Sequence, residues 1–171
     1  MNAMNAGRFP WRRRGPMAGA IVLVFLLPGC LGPMPVPLGG LNRQLAQRGS
    51  LREPSLSGPW LALIANRRGR DQVELVDVER QRPVPLPGLN RPDAQPLSVS
   101  VSAAGDRLAV VRQIEGRTEL LVYRRDLMSS QPIPMEPAGV PRRATLRADG
   151  REIAVEVSRR GLAQVDLITL P

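Results

Sequence analysis

Three stretches of this 171-residue chain superimpose without a gap, and their period limits the folds open to it. Taking Ala62, Ala109 and Ala154 as origins, a glycine lies four residues before each (Gly58, Gly105, Gly150). A second lies seven after (Gly69, Gly116, Gly161), and an apolar residue lies eleven after (Val73, Leu120, Val165). The origins are 47 and 45 residues apart, within the range of repeats that each form one small antiparallel sheet. The third copy is the clearest. Asp149-Gly150 is a turn dipeptide, Ile153, Val155 and Val157 alternate, Gly161 turns the chain again, and Val165 and Leu167 continue the alternation. A single Gly-x-x-x-Ala match carries no weight; three with matched turns and strands do.

Composition agrees. Eighteen prolines and 16 glycines suit short strands joined by tight turns, and with 3% aromatics the core must be built from Val, Leu, Ile and Ala. A further internal match extends each repeat to four strands. Pro35-Val36-Pro37-Leu38-Gly39-Gly40-Leu41-Asn42-Arg43 recurs as Pro83-Val84-Pro85-Leu86-Pro87-Gly88-Leu89-Asn90-Arg91, with a weaker copy at Pro132-Ile133-Pro134-Met135. Alternating prolines lack N–H donors, which places this piece at a sheet edge. The first strand of each repeat is clear at Leu97–Ser102 and Ala144–Arg147, and faint around Leu51–Ser57. The second strands are Trp60–Ala65, Arg107–Arg112 and Glu152–Val157. The third strands are Val73–Val78, Glu119–Tyr123 and Gln164–Ile168. The last repeat ends at Pro171 with no edge strand of its own, and Pro35–Leu38 is an edge strand with no repeat before it. Assigning one to the other predicts three complete four-stranded sheets over residues 35–171.

The amino terminus reads as an address. Arg8, Arg12, Arg13 and Arg14 precede an apolar run from Met17 to Leu27, too short for a bilayer that needs about 20 residues but suited to a secretory signal. Leu27-Pro28-Gly29-Cys30 resembles a bacterial lipobox. The resemblance implies cleavage between Gly29 and Cys30, acylation of Cys30 (palmitate or a similar chain), and a membrane anchor. On this reading residues 1–29 are a signal-peptide helix and 30–34 a lipidated tether; the alternative is a plain signal with an incidental cysteine. Losing residues 1–29 removes four arginines and no acid, so the formal charge falls from +9 to +5. Leu31, in place of an aspartate, favours the outer over the inner membrane.

The pattern Ser/Ala-x-Gly-x-x-Leu/Ile-Ala followed by a hairpin, best seen at Ala148–Ala154, resembles the blades of TolB-like, WD40-like β-propellers of the bacterial envelope. The resemblance covers about residues 35–171 and implies an all-β partial propeller of three antiparallel blades on the periplasmic side of the envelope. Propellers have 4–8 blades. Three blades leave two radial faces, which a head-to-tail homodimer completing a six-bladed ring or a compact three-sheet packing would hide.

No catalytic constellation stands out. The chain has no histidine, its one cysteine is the candidate acylation site, and no nucleophile elbow or phosphate loop occurs. The pairs Asp77/Glu79 and Glu152/Glu156 read as solvated strand faces. The sequence therefore predicts no enzyme, no metal and no cofactor. Charge placement points to binding. The turns between second and third strands carry Arg67, Arg68, Arg70, Arg117, Arg159 and Arg160, and the links between repeats carry Arg43, Arg48, Arg91, Arg142 and Arg143. In a propeller these segments share one end, opposed by Asp71, Asp93 and Glu115. Arg67, Arg68, Arg142, Arg143, Arg159 and Arg160 are the candidate partner-binding residues. The expected function is a scaffold for an envelope protein; the alternative is an anionic ligand, such as an acidic polysaccharide or lipid headgroup. An exported chain does not meet nucleic acid.

Overall fold

The computed structural model describes residues 34–171, so the signal, the Gly29–Cys30 cleavage site and the lipidated tether (through Pro33) fall outside the described residues. A compact unit covers Pro37–Pro171. Helix α1 (Gly39–Ala46) precedes eleven strands. These are β1 (Leu51–Ser57), β2 (Trp60–Arg67), β3 (Arg70–Asp77), β4 (Arg82–Val84), β5 (Ala94–Val101), β6 (Arg107–Ile114), β7 (Arg117–Arg124), β8 (Ser129–Ile133), β9 (Val140–Leu146), β10 (Glu152–Arg159) and β11 (Leu162–Thr169). Three meanders result, ordered β1-β2-β3-β4, β5-β6-β7-β8 and β9-β10-β11. The fold is the all-β, propeller-type arrangement expected from the repeats.

The hairpins follow from two-residue turns. Arg68-Gly69, Glu115-Gly116 and Arg160-Gly161 all have positive φ at both positions, the turn whose twist matches that of paired strands. The residues flanking each turn pair directly: Arg67 with Arg70, Ile114 with Arg117, Arg159 with Leu162. Gly58, Gly105 and Gly150, in the turns between first and second strands, also have positive φ.

Successive sheets meet face to face, one face of each looking forward along the chain order and the other back. The forward face of the first sheet buries Ala62, Ile64, Val73 and Leu75 against Val99, Val101, Leu108, Val110, Leu121 and Tyr123 of the second. The forward face of the second buries Ala109, Val111, Leu120 and Val122 against Ala144, Leu146, Ile153, Val155 and Val157 of the third. The same registers are used twice, because period-2 alternation sends each position to the same face in every copy. A polar device repeats with them. Ser55 Oγ accepts the Val101 amide at 3.2 Å, and Ser100 Oγ accepts the Leu146 amide at 2.9 Å. Each hydroxyl thus satisfies an inner-strand N–H that the neighbouring sheet leaves unpaired.

Two features correct the expectation. Among the described residues the third sheet has three strands, and Pro35–Leu38 forms no strand and is exposed. The segment runs straight into α1, which is held at the first sheet, two sheets away from β11. Arg48 bonds Glu74 at 2.8 Å, and Gly40 lies against the Gln81 side chain. Leu41, Leu63 and Val76 are each buried, outside both main clusters. Helix α1 itself went unanticipated. It opens on two glycines, has no side-chain cap and carries no acid in its first turn.

Candidate functional site

The turn end of the blades carries the candidate residues. A groove of about 590 Å³ lies between the β2–β3 turn (Gly69, Arg70), the link between sheets (Pro92, Asp93) and the β6–β7 turn (Glu115, Gly116). These three segments therefore share one end.

The arginines gathered there do not form a uniform basic platform. Arg67 donates to Glu74 at 2.5 Å, Arg143 to Glu53 at 3.0 Å, and Arg159 to Asp166 at 2.5 Å. Arg159 also donates to the Pro137 carbonyl at 2.8 Å, and its side chain is only 11% exposed. Arg48 joins Arg67 on Glu74, and Arg91 pairs with Asp93 at 2.7 Å. Of the six candidate binding residues, Arg68, Arg142 and Arg160 remain exposed and form no ion pair among the described residues; Arg70 and Arg117 are in the same state. Counting only turn and link acids missed Glu53, Glu74 and Asp166. They sit on strands, and their side chains reach the arginines at the strand ends.

The pairing shows in the titration of the acids. Burial alone would raise the Glu74 carboxyl, but hydrogen bonds from Arg67 and Arg48 outweigh it and hold it below the usual range. Hydrogen bonds from Arg159 and from Arg52 likewise depress Asp166 and Asp71, the latter helped by Asn66. Asp77, expected as a solvated acid, is buried at the β3–β4 turn, and its carboxyl is lowered chiefly by the Arg80 amide. Depressed native values stabilise the fold above the ordinary carboxylate range of about 4, a contribution lost as pH falls from there through the native values. Melting temperature is therefore expected to fall on acidification from pH 7 towards pH 3, and Glu74→Gln with Asp166→Asn to flatten that dependence. An unchanged slope in the double variant would remove these carboxylates as its source.

Besides this end, the forward face of the third sheet is left open by the described residues. Val165 and Leu167, in the positions of Leu120 and Val122, are 70% and 81% exposed. Thr145, in the position of Ser55 and Ser100, is exposed as well. Among the described residues no group of three metal-ligating side chains occurs.

No protein-family model matches the chain, and no curated protein matches it significantly. Among solved structures, the β-propeller domain of the trilobed protease from Pyrococcus furiosus matches at TM-score 0.50 and 16% identity, covering 68% of this chain and 37% of that one. TolB from Acinetobacter baumannii matches at 0.49 and 18%, covering 68% and 32%. An acylaminoacyl peptidase matches at 0.48 and 15%, covering 68% and 19%. The chain thus spans between a fifth and two fifths of the length of these structures. The expectation that the chain is no enzyme is corrected here. The Pyrococcus match is a protease's propeller domain, so this fold also accompanies catalytic machinery and gives no ground for the exclusion. What the Pyrococcus likeness establishes is the fold: the chain is built of β-propeller blades.

Proposed function

We propose that this chain is a lipid-anchored protein on the periplasmic side of a bacterial envelope, at the outer membrane by preference, whose blades act as a protein-interaction module. The Leu27–Cys30 box supports the anchor, and the propeller fold supports a binding surface made of turns. The observation that carries the binding reading is the mixed sign of the turn-end groove. Arg70 and Glu115, both exposed, form no ion pair among the described residues, and Asn66, Gln95 and Gln113 line the groove with them. A surface that offers donors, acceptors and both charges suits a polypeptide, which carries both signs, better than a polyanion.

The alternative, an anionic ligand, draws on exposed Arg68, Arg142 and Arg160. The two readings separate in one experiment. A charge-swapped variant, Arg70→Glu with Glu115→Arg, keeps the net charge and inverts the groove. It is expected to lower recovery of crosslinked envelope proteins by about tenfold, the effect of roughly 1.4 kcal/mol, while leaving binding to anionic vesicles unchanged. Arg68→Glu, Arg142→Glu and Arg160→Glu together should spare the protein partner. Loss in the triple variant with no loss in the swap would replace the protein reading with the anionic one. Failure of Cys30→Ala to abolish labelling by a fatty-acid analogue would remove the anchor.

A further inference from the structure

Among the described residues the third sheet lacks the edge strand that its siblings have, and the chain carries an unused copy of one. In the first sheet β4 pairs Val84 with Leu75 and Pro83 with Val76. The chain then continues through Leu86 and Leu89, both buried, to Asn90. Asn90 clamps β3: its Oδ1 accepts the Val73 amide at 2.8 Å, and its Nδ2 donates to the Val73 carbonyl at 2.9 Å. Eight of the nine residues of Pro83–Arg91 recur at Pro35–Arg43, with Leu38 for Leu86, Leu41 for Leu89 and Asn42 for Asn90. In this structure that copy is not used as a strand. Val36 is 84% exposed, Leu38 is 55% exposed, and Asn42 faces solvent on α1.

The acceptor is the outer edge of β11. Val165 stands in the register position of Val73, opposite Glu156 as Val73 is opposite Ile64, so its backbone N–H and C=O point to the open edge as those of Val73 point to Asn90. Leu167 stands in the position of Leu75. Along this edge runs an open groove of about 750 Å³, walled on the other side by Ile133 at the end of β8 and by Pro134 just after it.

We infer that residues Pro35–Asn42 of a second copy complete this sheet: the donated segment adds antiparallel to β11, Leu38 opposes Val165, and Asn42 clamps the Val165 backbone. The occupant is a second copy because the residues after α1 stay fastened to the first sheet even when the helix unwinds: Arg48 pairs with Glu74 at 2.8 Å, and the Ser50 carbonyl accepts the Asn66 amide at 3.0 Å. The link from donated strand to next sheet also fits. Leu38 to Leu51 is 13 residues, against 8 from Leu86 to Ala94. Reciprocal donation closes a two-fold pair. Donation requires α1 to unwind, and the helix is poorly secured against it, with two glycines at its start and eight residues in all. Leu41 exchanges one burial for another, as Leu89 is buried in the equivalent link. The inference is independent of which molecule occupies the turn-end groove.

Full-length chains in detergent, substituted Leu38→Cys in an isotope-labelled copy and Val165→Cys in an unlabelled one, are mixed and oxidised. A covalent dimer is expected, in which the labelled peptide containing position 38 is joined to the unlabelled peptide containing position 165. Pairing Leu38→Cys with Thr169→Cys, four residues out of register, should give several-fold less, and adding Asn42→Ala should lower the in-register yield several-fold. Both segments are exposed, so these variants keep the fold. Absence of the joined peptide, equal yield out of register, or closure of the doubly substituted chain within one copy would each overturn strand donation between copies.

Discussion

Gly105→Ala is expected to destabilise the chain by about 2–5 kcal/mol, whereas Gly69→Ala is expected to cost about 1–2 kcal/mol. Both glycines have positive φ, so both substitutions carry the backbone penalty of an L side chain in that region. They differ in what lies beyond the Cα. A Cβ on Gly69 would meet nothing within 4 Å, whereas one on Gly105 would lie 2.5 Å from Trp60 Nε1. Trp60 belongs to the first sheet and Gly105 to the second, so the glycine is where one blade rests on the next. Arg125 lies over the same indole, its Cζ 4.5 Å from the ring centroid. Displacing the ring loses that contact, worth about 0.5–1 kcal/mol at an exposed site. Urea unfolding of the two variants beside the parent measures the difference. Equal losses would mean that the indole swings away freely and that Gly105 serves its turn alone.

Position 105 also marks how far the sequence could be read. The repeat spacing located Gly58, Gly105 and Gly150 as turn residues, and period-2 alternation assigned the strands around them, because both signals are local and recur. What separates Gly105 from Gly69 is the neighbour in space, and spacing along the chain carries no trace of it. The charged residues failed for the same reason. Arg67, Arg143 and Arg159 look identical to Arg68, Arg142 and Arg160 on paper, yet Glu74, Glu53 and Asp166 occupy the first three. Glu53 lies ninety residues from Arg143 and sits at a bulge of β1 with φ of 50°. The repeat match at Pro35–Arg43 was legible as similarity, but its use was not. A copy of an edge strand has no partner until another strand offers an edge, and in this structure α1 takes the residues that would follow it.

The second large effect is expected at Tyr123. Tyr123→Ala should cost about 3–5 kcal/mol, as other large aromatic truncations in cores do, and Tyr123→Phe about 1 kcal/mol. The ring is fully buried in the cluster between the first and second sheets, and its hydroxyl donates to the Pro87 carbonyl at 2.8 Å. That bond runs from β7 to the link that leaves the first sheet, the same link that Asn90 fastens to β3. Tyr123 and Asn90 therefore hold residues 86–90 from two sides, one through the second sheet and one through the first. Removing the ring empties the core and frees the link; removing the hydroxyl frees one end of the link and leaves the core filled. Hydrogen exchange should divide the two consequences. In Tyr123→Phe, amides of residues 85–94 should lose protection while those of β6 and β7 keep theirs, and in Tyr123→Ala both groups should exchange faster. If Tyr123→Phe left residues 85–94 as protected as in the parent, Asn90 alone would be sufficient to hold the link. The equivalent duty proposed for Asn42 at Val165 would then need no help from a tyrosine, whose repeat position on the next sheet, β3 of the second copy, is held by Val76.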